Sequence, residues 1–222
     1  MWRDAALVAG KDLRLEARSR VATGQVAPFA LLVLLLFAFA LDPDRGMLEQ
    51  ATPGLFWLAV LFSALLAVQR SFAVESADGV RDGLRLSGLD PAGVFVGKAA
   101  AVASELLALQ VLLGVGVVVL YGASPRSAGL LLLTSLAATV GLAATGTLYG
   151  VLAAGLRARD TLLPLLVLPV LAPVLIGATR AYEAALAGTP SEGWPWVALL
   201  TVFAVVAVAL GVVTFGPLLE ET

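Results

Sequence analysis

Residues 165–178 read LLVLPVLAPVLIGA: fourteen residues without a charge, yet with prolines at Pro169 and Pro173 and a third, Pro164, just ahead. Each interior proline removes a backbone donor and clashes with the preceding turn. In water such a run has no good fold. In hydrocarbon an apolar helix is obligatory, and proline is tolerated where neighbouring helices re-satisfy the freed carbonyls. The stretch therefore reads as a bent transmembrane helix. We expect the bend at Pro169 and Pro173, with the span buried against other spans. Pro164 falls in the first turn, where proline is nearly harmless.

The rest of the chain agrees. It has 222 residues, 60% hydrophobic and only 14% charged, against roughly 45–50% and about 25% in soluble domains. The apolar residues fall in blocks of the ~20 residues needed to cross about 30 Å of hydrocarbon. Alternating ~10-residue segments, the mark of a transmembrane barrel, are not visible. Six spans follow, at about Val21–Leu41, Pro53–Val68, Ala99–Tyr121, Ala128–Leu152, Leu162–Thr179 and Pro195–Phe215. Ala38-Phe39-Ala40 matches a signal-cleavage pattern, but the apolar run before it is too long and the N-terminal segment carries acids as well as bases. We read it as a retained span.

Basic residues fix the expected orientation. Arg3, Lys11, Arg14, Arg18 and Arg20 precede span one. Arg70, Arg81, Arg85 and Lys98 lie between spans two and three, and Arg157 and Arg159 between spans four and five. Only Arg45, Arg126 and Arg180 fall on the other side. Six spans with both termini cytoplasmic satisfy this bias.

Two cytoplasmic pieces stand out. In residues 1–20, Trp2, Ala6, Ala9, Leu13 and Ala17 share one helical arc, with Arg3, Lys11, Arg14 and Arg18 opposite. We expect an amphipathic interfacial helix; Leu7 and Glu16 depart from the pattern. The remainder, 21–222, is the six-span domain. Its loop 71–98 reads SFAVESADGVRDGLRLSGLDPAGVFVGK. As a helix from Phe72 to Leu86, it gathers Glu75, Asp78, Arg81, Asp82 and Arg85 on one side. Phe72, Gly79, Val80 and Leu84 lie on the other. Ser87-Gly88 stops that helix, and Asp90-Pro91 caps the next. Such a helix either rests on headgroups or is held by a soluble partner. Its mixed charge favours the partner, because anionic headgroups select bases.

Catalytic chemistry is not found. There is no His and no Cys, which excludes Ser/His/Asp and Cys/His sets and the usual zinc patterns. Gly93-x-x-x-Gly97-Lys98 lacks the length and the Ser/Thr of a phosphate loop. Its glycines read as a close-packing surface, with Lys98 snorkelling to the membrane edge. Glu105, inside span three, reads as structural because no second buried ionisable group is evident beside it. Arg180 and Glu183 read as a solvated i,i+3 pair. Gly146 and Gly150 permit close helix contact, within one chain or at a homodimer seam. The chain has the features of a permease whose motor is a separate protein.

At this point the residues resemble a known family. Thr52-Pro53-Gly54 through Trp57 to Ser63-Ala64-Leu65-Leu66-Ala67 is similar to the second span of the CcmB family, haem exporter protein B. Arg70, Phe72, Asp78-Gly79 and Leu84 through Lys98 resemble its loop. Gly155-Leu156-Arg157 followed by Leu166-Val167-Leu168-Pro169 and Pro173 resembles its most recognisable stretch. One departure is Asp82-Gly83-Leu84, where the family often has Glu-x-Leu; another is Glu105, where a neutral residue is expected. The resemblance implies an all-α membrane protein of the ABC-exporter permease type, an N-terminal interfacial helix plus six spans. It would dimerise above two copies of a CcmA-like ATPase. Phe72, Glu75, Asp78, Gly79, Val80, Asp82 and Leu84 would then form the coupling helix. CcmC- and CcmD-like membrane subunits and, indirectly, the haem chaperone CcmE are the implied partners in cytochrome c maturation. ATP would bind the partner subunit and haem the partner proteins, so no cofactor is expected on this chain and it is not an enzyme by itself. An exporter of lipid or drug, or an assembly protein without a motor, are the alternatives the residues leave open.

Overall fold

A computed structural model describes residues 1–19, 22–41, 45–75, 88–154 and 159–221. Among the described residues there are seven α-helices and no strand: α1 (Trp2–Ser19), α2 (Ala27–Leu41), α3 (Arg45–Glu75), α4 (Pro91–Tyr121), α5 (Ala128–Ala154), α6 (Arg159–Ala187) and α7 (Pro190–Glu221). A π-helical turn at Ala22–Val26 leads into α2. Six helices are long and apolar enough to cross a membrane: Gly24–Leu41, Gly46–Phe72, Pro91–Tyr121, Ala128–Leu152, Pro164–Ala187 and Pro190–Leu218. The expected all-α, six-span architecture is the one observed.

The helices outrun the apolar blocks that announce them. The second begins at Arg45 rather than Pro53 and keeps Pro53 inside it. The third begins at Pro91 rather than Ala99. Hydropathy marks where a helix enters lipid, whereas capping marks where it starts. Asp90 supplies that cap: its Oδ1 accepts from the Ala92 amide at 3.1 Å, ahead of Pro91. At the other end Gly122, at φ 68°, closes α4 in the left-handed conformation that glycine adopts freely.

α3 is the central helix, with 67% of its membrane-crossing stretch buried, against 17% for the peripheral α2. α5, α6 and α7 pack on one another, and α4 bridges them to α1, α2 and α3. The core holds an aromatic cluster. Phe56 stacks on Tyr182 at 4.8 Å between centroids and meets Trp57 edge-on at 5.6 Å. Gly146 and Gly150 of α5 face Val68 and the Phe72 ring of α3. That close contact is therefore spent inside the chain, and these glycines form no homodimer seam.

Pro164, Pro169 and Pro173 all lie within the single helix α6. Val167, Leu171, Val174 and Ala178 are its buried face, and Pro169 and Pro173 are exposed on the opposite side. The span is thus buried against other helices along one face, and Pro169 and Pro173 lie off that face. Prolines on the outer face suit a helix that wraps its bundle, since such helices are convex outward.

Candidate functional site

The C-terminal end of α3, the N-terminal end of α4 and the C-terminal ends of α5 and α7 meet at one end of the bundle. Phe72 there touches Gly150, Phe95 packs on Phe215 at 5.5 Å, and Pro91 faces Gly216. The opposite end gathers Glu49, Arg126 and Glu183 around a cavity of about 410 Å³. The Arg180–Glu183 pair there, 3.0 Å apart and more than half exposed on both sides, is the solvated pair expected from its spacing.

At the first end α1 lies along α4, and the sequence of α4 makes room for it. A Cβ on Gly93 would stand 2.8 Å from the Met1 carbonyl oxygen, and one on Gly97 would stand 2.6 Å from that of Ala5 and 2.8 Å from Val8 Cβ. The two glycines form a notch that admits the backbone of α1. The close-packing reading of Gly93 and Gly97 holds, with α1 as the occupant.

The contact face of α1 is Ala5, Val8, Asp12 and Glu16, about 100° around from the apolar arc expected in the interface. Trp2 (74% exposed) and Leu13 stay outside. Glu16, which breaks the amphipathic pattern, is a contact residue. Its Oε1 accepts from Arg70 of α3 at 2.9 Å, and a second Arg70 nitrogen donates to Ser19 Oγ at 3.1 Å. Asp4 Oδ2 accepts from the Asp90 amide at 3.4 Å. The Met1 amine and that amide hold the Asp4 carboxyl below its usual range.

Lys98 corrects the sequence reading most directly. It does not snorkel: its side chain is 1% exposed. Nζ donates to Asp12 Oδ2 at 3.4 Å and to Ser71 Oγ at 3.2 Å, and lies 4.9 Å from the Phe72 ring centroid. Burial of an ammonium is costly unless it is paired, so Asp12 fixes where α1 must sit. Glu105 likewise has charged company. With Glu16, Asp12 and Arg70 it lines a cavity of about 160 Å³ between α1, α3 and α4. Asp12, Glu16 and Arg70 are part-buried, so Glu105 has ionisable neighbours in this cavity although none of the three is fully buried.

The residues expected to form a coupling helix divide in three. Phe72 belongs to α3 and is buried, so its ring is not available to a partner's groove as expected. α3 runs on past Arg70 as far as Glu75. Glu75 is the last residue of α3. Asp78, Gly79, Val80, Asp82 and Leu84 lie outside the described residues. The sequence reading missed Asp12, Glu16, Arg70, Ser71 and Lys98. A signal existed: Asp4, Asp12 and Glu16 fall at multiples of four residues on one stripe of α1, and two of these acids meet bases, Asp12 with Lys98 of α4 and Glu16 with Arg70 of α3.

Among the described residues no cluster of His, Cys, Asp and Glu could hold a metal. The arrangement is a strap. One short helix is bolted by ion pairs to the end of α3 and the beginning of α4, the two legs of the segment 76–87.

Residues 4–220 match the family model described as CcmB protein. The chain is 31% identical to Heme exporter protein B of Pseudomonas aeruginosa over 210 residues, covering 90% of each chain. It is 32% identical to Heme exporter protein B of Paracoccus denitrificans over 207 residues, 93% of each. It is also 32% identical to that of Haemophilus influenzae over 217 residues, covering 93% of this chain and 90% of the relative. A match that runs through the strap, the central helices and the proline-bearing α6 alike places the chain in the CcmB family.

Proposed function

We propose that this chain is the permease subunit of an ATP-driven complex for haem handling in cytochrome c maturation. A CcmA-like ATPase binds segment 76–87 from the cytoplasm. Hydrolysis there releases a haem-loaded chaperone of the CcmE kind, with CcmC- and CcmD-like subunits alongside and the chain itself paired as a homodimer. The protein sits in the inner membrane with both termini cytoplasmic. It holds neither nucleotide nor haem iron; the lack of histidine suits that division of labour.

The supporting observation is the way α1 joins the two legs of the loop. A soluble motor can act on a membrane bundle only by displacing something stiff. Glu16 grips Arg70 on α3 and Asp12 grips Lys98 on α4, so a push on residues 76–87 moves both helix ends and α1 as one body. The exposed Pro169 and Pro173 give α6 a weak point in its backbone ladder, where an outer half can bend against an inner half.

Charge reversal at Asp78 and Asp82 tests the reading. Co-purification of the ATPase subunit should be lost while the permease still accumulates in the membrane. Full retention of the ATPase, with normal coupling, would remove the segment from this role.

A further inference from the structure

Glu105 is a half-buried carboxylate with no hydrogen bond or ion pair among the described residues. Arg70, which lines the same cavity, already serves Glu16 and Ser19. A carboxylate in this position is expensive to leave unmatched. It also stands at a junction. One side opens on the 160 Å³ cavity under α1, where Lys11, Asp12, Glu16 and Arg70 stand among apolar side chains. The other side opens on a groove of similar volume, where Ser63 and Glu105 are the polar residues among Val26, Ala27, Leu106 and Leu109. A chamber that carries charges and a groove that carries almost none, sharing one acid, have the shape of an amphiphile.

The depth agrees. α4 has 31 residues, about 46 Å at 1.5 Å per residue, more than the ~20 residues that hydrocarbon requires. With Tyr121 at the far edge, the near edge falls around Val102. Glu105 is then about one turn inside, and Arg70 and Lys98 lie at headgroup level.

We infer that this junction binds an ethanolamine phosphate headgroup, its ammonium on Glu105, its phosphate on Arg70 and, when the source is a phospholipid, an acyl chain in the groove. A primary ammonium brings three donors to the carboxylate, whereas a choline brings none. The described linings contain no aromatic ring that could cage a quaternary ammonium. Arg70 has five N–H donors. Two are used, by Glu16 and Ser19, and the others are available to phosphate oxygens. A volume of 160 Å³, at roughly 10–15 Å³ per accommodated water, suits a headgroup rather than a single ion.

The test uses the purified full-length chain, delipidated in detergent, in native mass spectrometry titrations with palmitoyl-oleoyl phosphatidylethanolamine and phosphatidylcholine. The expected result is one ethanolamine lipid retained per chain at a concentration at least ~10-fold below that needed for the choline lipid. Glu105→Gln, which keeps shape and removes charge, should abolish the preference. Glu183→Gln, at the opposite end, should keep it. Soluble phosphoethanolamine is added as a competitor. Displacement by it assigns recognition to the headgroup from either source, and resistance to it assigns the site to the diacyl lipid. Equal retention of the two lipids by the unmodified protein, or a preference that survives Glu105→Gln, would overturn the inference.

Discussion

Asp12→Ala removes the acid that meets the buried Lys98. Breaking a fully buried ion pair from one side costs roughly 3–5 kcal/mol, because the abandoned charge stays desolvated. Here Lys98 is 1% exposed but Asp12 is 14% exposed. Lys98 also keeps Ser71 at 3.2 Å and the Phe72 ring at 4.9 Å, so the cost falls below that range, at about 2 kcal/mol. That cost falls on the docking of α1 rather than on the core, because the rest of the bundle does not depend on Asp12. About 2 kcal/mol corresponds to a roughly 30-fold rise in local opening. Hydrogen–deuterium exchange of the purified protein in nanodiscs would read it as ~30-fold faster exchange across residues 5–16, with α5 and α7 unchanged. Lys98→Met removes the charge that needs Asp12, so the double variant Asp12→Ala/Lys98→Met should return to within ~3-fold of the unmodified protein. The coupling between the two sites is then about 2 kcal/mol by a double-mutant cycle. Additive effects, or unchanged α1 exchange in Asp12→Ala, would show that the pair does not hold the strap in place.

Three other perturbations probe different joints. Gly97→Val places side-chain carbons where the Ala5 carbonyl and Val8 stand. Overpacking of this kind costs roughly 1–3 kcal/mol, and trypsin should then cut α1 after Lys11 or Arg14 faster than in the unmodified protein. Gly150→Ala collides with the Phe72 ring and should lower the thermal midpoint; adding Phe72→Leu should recover part of the loss, and no recovery would argue that the contact is not the cause. Pro169→Ala/Pro173→Ala should leave folding and assembly intact, because both positions are exposed and alanine restores two backbone bonds. On the proposed function haem delivery should nonetheless fall, and unchanged delivery would make the prolines a static feature of the bundle.

The sequence carries its architecture plainly because lipid imposes a single backbone solution. Twenty apolar residues in a row have no alternative to helix, so the six spans are legible even through three prolines. Helix ends are less legible. Arg45–Gln50 packs Leu48 into the core and Pro91–Lys98 is capped by Asp90, and hydropathy registers neither. The strap was hidden for a different reason. An amphipathic helix is read as having two faces, one apolar and one charged. α1 has three: an exposed arc with Trp2 and Leu13, a basic side with Arg3, Arg14 and Arg18, and a bundle face on which Ala5 and Val8 alternate with acids. On a helical projection Glu16 counts as an error; in the fold it is the partner of Arg70.

The same reasoning explains why Lys98 is buried when its position suggested snorkelling. A lysine near a helix end reaches for water only if no carboxylate is brought to it. Gly93 and Gly97 let α1 approach closely, and that approach delivers Asp12. The glycine notch and the buried lysine are therefore one device, since neither makes sense without the other. If the notch is filled, the lysine loses its acid; if the acid is removed, the notch loses its reason to be occupied. Arg70 extends the device to α3, where Glu16 and Ser19 hold it at the end of the helix that enters segment 76–87. A strap fastened to only one leg would let the loop swing freely. Fastened to both, it ties the end of α3, the most buried of the six membrane-crossing stretches described, to the start of α4.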